Sequence, residues 1–259
     1  MRRTLPFVPL SDEFFVSPIA HRGLHDCDGR FGSGRTENSF AAVAFAISKG
    51  YGIEIDIQLS QDGVPVVFHD DSLKRLFKIE KKISELSISS LKKLRLANEE
   101  QIPTLDELLE LISGQVPVLV ELKVQNHALE NTTNGIEDAV ARSLTKYNGP
   151  VGIMSFNPYY VKAFGLRLPD IPRGLVTEAF KNRDGSNERV KKLSISRCLK
   201  ELVEIAASFI SHEHSDLCSD YVLGIPKSIK IFSWTLRDKR VSKKALERSD
   251  NITFEGFIP

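Results

Sequence analysis

Cysteine, methionine and tryptophan are scarce in this 259-residue chain, which carries three, two and one of them. The cysteines, Cys27, Cys198 and Cys218, are odd in number and never spaced C-x-x-C. That excludes a disulfide framework and a thiolate zinc cluster. Net charge is nearly absent as well: 35 Lys and Arg stand against 34 Asp and Glu, with no long basic run. Such a chain has no electrostatic footprint for nucleic acid or an anionic membrane. No stretch of 18 uncharged apolar residues occurs, so stable membrane insertion is not expected. The opening MRRTLPFVPLSDEFFVSP mixes Pro, Ser, Asp and Glu among its apolar residues, unlike the unbroken core of a signal peptide. The expectation is a mature, cytoplasmic protein, and nothing in the sequence specifies an oligomer.

What is present is an alternation of two periodicities. β-Branched runs at 18–23, 51–60, 64–70, 116–123, 151–156, 171–176, 208–213, 229–236 and 252–258 read as strands. Between most of them apolar residues recur at helical spacing, as in TLDELLELIS, NPYYVKAFGL and SRCLKELVEIAA. Alternating strand and helix implies a parallel sheet. Asp62-Gly63 is a tight-turn pair, which makes 64–70 the return arm of the second strand. Eight βα units then remain, and about 250 residues is the size of an α/β TIM (β/α)8 barrel. An open doubly wound sheet is the structural alternative.

Helix starts are expected at Asn38, at Thr104 with Glu107 three residues on, and at Asn157-Pro158. The Lys-, Ser- and Leu-rich stretch at about 71–101 reads as a small, half-helical insertion after the second strand, covering one side of the barrel mouth. One domain over 1–259 is expected. The polar, basic residues 181–197 read as an exposed mobile loop, and Cys27 to Arg35, with Gly29, Gly32 and Gly34, as a flexible lid.

Ionisable residues fall where such a barrel places its chemistry, at the C-terminal strand ends. The first strand ends His21-Arg22-Gly23, and the glycine lets the backbone leave β geometry so that both side chains reach the mouth. Glu54 and Asp56, at i and i+2, share one face of the second strand, while Ile53, Ile55 and Ile57 share the other. With the isoleucines against helices, the carboxylates lie inside and need a counter-charge from a metal or a basic group. The return arm ends His69-Asp70, where the acid can equally cap the turn, and the third barrel strand ends Glu121-Leu122-Lys123. Trp234 ends the strand IKIFSWTL and is a candidate apolar wall. His212 and His214 are expected to be structural, and His25 and His127 sit in loops.

These runs together, H-R-G (21–23), T-E-N-S (36–39), E-I-D-I-Q-L-S-Q-D-G-V-P-V-V-F-H-D (54–70) with Leu73 and Arg75, I-P-T-L-D-E (102–107) and E-L-K (121–123), resemble glycerophosphodiester phosphodiesterases. Weaker similarity continues through S-F-N-P (155–158) and W-T-L (234–236). The resemblance implies a TIM barrel that hydrolyses small-molecule glycerophosphodiesters to glycerol 3-phosphate and an alcohol with a divalent cation. It puts metal ligands on Glu54, Asp56 and Glu121, the general acid and base on His21 and His69, and phosphate-binding cations on Arg22 and Lys123. Glu37 falls at the rim of the site. Thr36 stands where the family usually has Pro. The chain ends Gly256-Phe257-Ile258-Pro259 where the family closes its last strand with Thr-Asp and a Pro, so an acid at the mouth is expected to be missing.

The chemistry explains the set. A phosphodiester anion resists attack until its charge is neutralised; Arg22 offers a planar fork for two oxygens and Lys123 a point charge. All-oxygen ligands suit Mg²⁺ or Ca²⁺ rather than zinc. In-line displacement needs a base on one side of phosphorus and an acid on the other, and two histidines supply both, their order left open. Water and the glycerol 2-hydroxyl both remain possible nucleophiles. Two rival readings are a catalytically silent barrel that binds the same diester, which has no need of both histidines, and a phospholipase relative, which should carry a secretion signal or an apolar membrane-facing loop.

Overall fold

The computed structural model describes residues 4–26, 34–125, 135–179 and 188–259. Cys27, Gly29, Gly32, His127 and the first residues of the basic 181–197 stretch lie outside them. Eight parallel strands, β1 (Ile19–Ala20), β2 (Gly52–Leu59), β4 (Val118–Leu122), β5 (Val151–Ser155), β6 (Arg173–Thr177), β7 (Phe209–Glu213), β8 (Lys230–Leu236) and β9 (Asn251–Phe254), run round a sheet that β1 closes by pairing with both β2 and β9. β3 (Pro65–Val67) folds back antiparallel on β2, with Gln58 opposite Val66. The connecting turn places Gly63 at φ +76°, a conformation glycine adopts without strain. The barrel and its hairpin arm are those the alternation predicts, and the open sheet is excluded.

The period of two explains why the barrel has a polar mouth and a dry floor. On β2, Ile53, Ile55, Ile57 and Leu59 join the outer core with residues of α1 (Phe40–Ser48), α4 (Leu105–Ile112) and α5 (Ile136–Leu144). The intervening residues point inward. Near the strand starts the interior is filled by Phe14, Ile19, Leu119, Phe209 and Phe232. The turn Asp12–Phe15 inserts Phe14 from the N-terminal segment, which closes this end. Burying a side chain of that size contributes roughly 1.5–3 kcal/mol.

Arg173, at the start of β6, is wholly buried without a carboxylate among its hydrogen-bond partners and fastens the same segment. Its guanidinium donates to the carbonyls of Ile205 (2.9 Å), Pro169 (3.1 Å), Ile171 (3.3 Å) and Pro6. Arg173→Met leaves these acceptors without their donor and should destabilise the protein by about 2–4 kcal/mol, part of the loss being offset by relief of a buried charge. Urea unfolding measures this; a change below about 0.5 kcal/mol would show that the floor is held by apolar packing alone.

Helix entry uses the expected cap in two of three places. Thr104 and Glu107 form a reciprocal box at α4, and Asn157 caps α6 (Pro158–Arg167) with Pro158 in its first turn. At α1 the cap is Ser39, which accepts from the Ala42 amide, and not Asn38. The basic stretch also departs from expectation, because α7 (Glu188–Glu204) begins well upstream of Ser196. Ile195 adds one position to the apolar stripe of Cys198, Leu199 and Leu202, which packs on Ile205, Ile210 and Tyr221.

Between β3 and α4 lie α2 (Lys74–Phe77), a turn at Ile83–Glu85 and α3 (Ile88–Leu91), built on a separate apolar cluster of Val66, Phe68, Leu73, Ile83, Leu91, Leu96 and Ile102. This insertion is tied to the β1–α1 connection by Thr36 to Asn98 (3.3 Å) and to the first turn of α1 by the Ala41 amide to Glu100 (3.2 Å). Arg35 is no lid residue; it is buried, donates to the Leu24 carbonyl and stacks over Phe45. Short α8 (Asp220–Leu223) and α9 (Lys239–Leu246) complete the outer ring. Among the described residues no helix is long and apolar enough to cross a membrane.

Candidate active site

At the C-terminal strand ends a cleft of about 380 Å³ is lined by His21, Arg22, Glu54, Asp56, His69, Glu121, Lys123 and Trp234, among others. Inward alternation on adjacent strands makes this possible. Asp56 of β2 and Glu121 of β4 are register partners, so their carboxylates sit side by side, with Glu54 one inward step below. Oxygen atoms of Glu54, Asp56 and Glu121 all lie within 4.8 Å of one another. Arg22 adopts φ +54° and Gly23 φ +76°, and the chain turns so that His21 and Arg22 both face the cleft. A Cβ on Gly23 would meet the Ala42 backbone at 2.9 Å, so the turn is open to glycine alone.

Charge is dense here and nearly dry. Asp56 lies 3.4 Å from Arg22 Nε and 3.3 Å from Lys123 Nζ, and takes a 2.9 Å hydrogen bond from Asn38 Nδ2. Burial by itself would raise its pKa, but the charges of Lys123 and Arg22 hold the carboxyl well below its usual range. Glu54 goes the other way. Burial, reinforced by the neighbouring charges of Asp56 and Glu121, pushes its pKa well up, although Arg22 donates a backbone 3.0 Å bond to it. Glu121 is raised too, by burial first, despite the 2.8 Å contact of Lys123. Three crowded carboxylates against two basic groups are a cluster short of positive charge, and its donors are all oxygens. A hard divalent cation fits that deficit.

Both histidines are held at Nδ1 by a carboxylate. His21 Nδ1 lies 2.5 Å from Glu255 Oε2 and His69 Nδ1 2.8 Å from Asp70 Oδ1. His21 Nε2 looks toward the acids, 4.0 Å from Glu54. Burial, the largest influence, lowers the His21 pKa even though Glu255 opposes it.

Behind His69 runs a relay. Asp70 accepts from Arg75 Nε (2.6 Å), Arg75 also binds Glu37 (2.6 Å), and Glu37 accepts from Arg22 Nη1 (2.9 Å). Glu37 is thus a buried link to Arg22 and not a residue lining the cleft. Arg75, from α2, connects the insertion to the site.

The opposite wall is apolar: Met154, Phe156, Val176 and Trp234 line it, with Phe156 and Trp234 edge-on at 6.1 Å. Trp234 is fixed by donating Nε1 to the Ser211 carbonyl (2.9 Å). His214 also lines the cleft, contrary to expectation, whereas His212 is wholly buried between Thr177 (2.8 Å) and Asp216 (3.2 Å).

The expected loss of an acid at the last strand is also corrected. The strand stops at Phe254 rather than continuing to Ile258, and Glu255 is the first residue beyond it. Its Oε2 faces His21 and also lies 3.4 Å from Nε2 of buried His25, while Oε1 accepts from Arg237 Nε at 2.6 Å. Burial would raise its pKa, yet the bonds from His21 and His25 and the charge of Arg237 hold it far below the carboxylate range. Asn38, His25 and Glu255 were all missed from sequence; the adjacent Asn-Ser pair before α1 was the one available signal for the first.

Comparison with known proteins follows the same lines. The model of the glycerophosphoryl diester phosphodiesterase family matches residues 21–251. A glycerophosphodiester phosphodiesterase from Caldanaerobacter subterraneus subsp. tengcongensis is 33% identical over 93% of this chain and 92% of its own length. A phosphodiesterase of Oleispira antarctica, solved in complex with the product sn-glycerol-3-phosphate, superposes with TM-score 0.71 at 25% identity, covering 97% of this chain and 93% of that one. A glycerophosphodiester phosphodiesterase from Thermotoga maritima shares the fold with TM-score 0.69 at 24% identity over 92% and 94% of the two chains. Fold and sequence agree, and the chain belongs to the glycerophosphoryl diester phosphodiesterase family.

Proposed function

We propose that this protein hydrolyses glycerophosphodiesters to glycerol 3-phosphate and an alcohol with the help of a divalent cation. The observation that carries the reading is the joint placement of three carboxylates, the basic side chains of Arg22 and Lys123, and two carboxylate-backed histidines in one cleft. Glu54, Asp56 and Glu121 would hold Mg²⁺ or Ca²⁺, because hard cations take oxygen donors. When bound, the cation supplies positive charge that offsets the phosphate oxygens and the developing charge on the leaving oxygen. Arg22 and Lys123 bind the remaining anionic oxygens.

The histidines move protons at Nε2, since each Nδ1 is committed to a carboxylate. One accepts the proton of the attacking hydroxyl as its oxygen bonds to phosphorus. The other gives a proton to the alcohol oxygen as the second P–O bond breaks. Attack by water and attack by the glycerol 2-hydroxyl followed by hydrolysis ask the same of both. The apolar wall of Phe156 and Trp234 receives the part of the substrate away from the charges.

A substrate comparison tests this reading. Glycerophosphocholine, glycerophosphoethanolamine and glycerophosphoglycerol should release glycerol 3-phosphate, and glycerol 3-phosphate itself should persist. Release of inorganic phosphate from the monoester, with the diesters untouched, would overturn it.

Two further outcomes follow from the electrostatics. Glu54 and Glu121 have folded pKa values above the unfolded one, so the stability they confer is full below about pH 4.5 and fades as pH rises through the raised values. A cation binds the deprotonated cluster and restores what is lost. The Tm increment from added Mg²⁺ or Ca²⁺ should therefore be larger at pH 8 than at pH 5; an equal or absent increment at both would argue against cation binding by these acids. Arg22→Lys keeps charge but loses the planar fork, and should cost about 1–3 kcal/mol in kcat/KM, on a molecule whose Tm is little changed. Lost Tm with retained kcat/KM would make Arg22 a structural tie to Glu37 and Asp56.

A further inference from the structure

We propose that Glu255 is a positioning residue for His21, holding that imidazole as the Nδ1–H tautomer with the Nε2 lone pair turned into the cleft. The kinetic part of this proposal rests on the hydrolase reading above; the tautomer part stands without it. The argument begins with register. β1 pairs with β9 so that Ala20 lies opposite Phe254, and the next residues along, His21 and Glu255, come level at the closing seam of the barrel. Alternation then sends both inward: Ala20 and Phe254 belong to the outer core, while Ile19 and Thr253 point to the interior. Residues 234 positions apart are joined by barrel closure alone.

The carboxylate is pinned on each side. Its Oε2 takes the His21 Nδ1 proton at 2.5 Å, its Oε1 takes Arg237 Nε at 2.6 Å, and its backbone amide donates to the Leu236 carbonyl at 3.0 Å. His25 Nε2 lies 3.4 Å from the same Oε2, on a side chain that is itself buried. The His21 amide donates to the Phe254 carbonyl (2.9 Å), which fixes the backbone from which the ring projects. An ionised carboxylate only accepts, so the Nδ1 it faces must carry hydrogen. In the neutral ring Nε2 is then the acceptor, and it is the nitrogen that faces Glu54.

The same device occurs at the second histidine, where Asp70 holds His69 Nδ1 and Arg75 holds Asp70. Two histidine–carboxylate–arginine sets of like construction meet one cleft. The set built on Glu255 is the one the C-terminal sequence concealed.

The test pairs ¹⁵N imidazole spectra of the wild-type protein at pH 8 with steady-state kinetics of Glu255→Gln and Glu255→Asp. The His21 signals are assigned by their loss in His21→Ala. The expected spectrum has His21 protonated at Nδ1. Glu255→Gln should lower kcat roughly 10- to 100-fold with KM within about twofold, and Glu255→Asp should recover much of the loss. A wild-type His21 protonated at Nε2 overturns the proposal, as does a folded Glu255→Gln protein with unchanged kcat. If that variant does not fold, the wild-type tautomer decides alone. A wild-type protein that hydrolyses no diester refutes the hydrolase reading, and the spectrum still decides the role of Glu255.

Discussion

His21→Ala and His69→Ala are each expected to lower kcat by roughly 10²- to 10⁴-fold, the range for losing a positioned acid or base. Each ring has its Nδ1 committed to Glu255 or Asp70, which leaves Nε2 as the nitrogen for proton transfer. The variants differ in their side effects. His69 is about one-third exposed (32%), and its removal leaves the packed barrel untouched. Removing His21 takes a donor from the mostly buried Glu255 carboxylate and should also cost some stability. A diester with an activated leaving group separates the two roles. The variant it rescues has lost the acid, because such a group departs without a proton; the variant it does not rescue has lost the base. Unchanged turnover in either variant removes that histidine from the mechanism.

Asp56→Asn should weaken binding of Mg²⁺ or Ca²⁺ by at least about 100-fold, since loss of a mere supporting hydrogen bond to a ligand already costs 10- to 100-fold. Asp56 is the centre of the charge cluster, 1% exposed and in reach of Arg22, Lys123 and Asn38. It is also the acid most firmly ionised there, so its negative charge is available to a cation at any ordinary pH. Neutralising it leaves Arg22 and Lys123 facing two carboxylates that burial already drives toward protonation. Its depressed pKa means that it stabilises the fold above about pH 3.8 and ceases to as pH falls through the folded value. The variant should therefore be less stable at pH 7 even without metal. Calorimetric titration with Ca²⁺ reads the affinity, and an unchanged Kd would place the cation elsewhere.

What could be read from sequence was what periodicity carries. The isoleucines of β2 and the acids between them declare both faces of one strand, and Asp62-Gly63 declares the hairpin, because these are local consequences of pleat and turn. The strand-end pairs around Glu54, Glu121 and His69 were legible for the same reason. Tertiary demands were not. Asn38 and Ser39 are both good caps, and only the presence of Asp56 in space decides that Asn38 serves the acid while Ser39 caps α1. Glu255 sits between Phe254 and Gly256 in a run that reads as continuous strand; its partner is known only once β1 meets β9. Arg75 and Glu37 are long side chains on separate segments, and their bond depends on how the insertion packs. In α7 the stripe of Cys198, Leu199 and Leu202 was legible, and what the polar, basic residues before Ser196 obscured was that the helix starts upstream of it, at Glu188.

The most direct measurement is ³¹P NMR of glycerophosphocholine incubated with the protein, first with chelator and then with excess Mg²⁺ or Ca²⁺ restored. The diester resonance should persist in chelator and give way to that of glycerol 3-phosphate once the cation returns. A diester that survives every condition, or one cleaved equally well in chelator, would contradict cation-assisted hydrolysis at Glu54, Asp56 and Glu121.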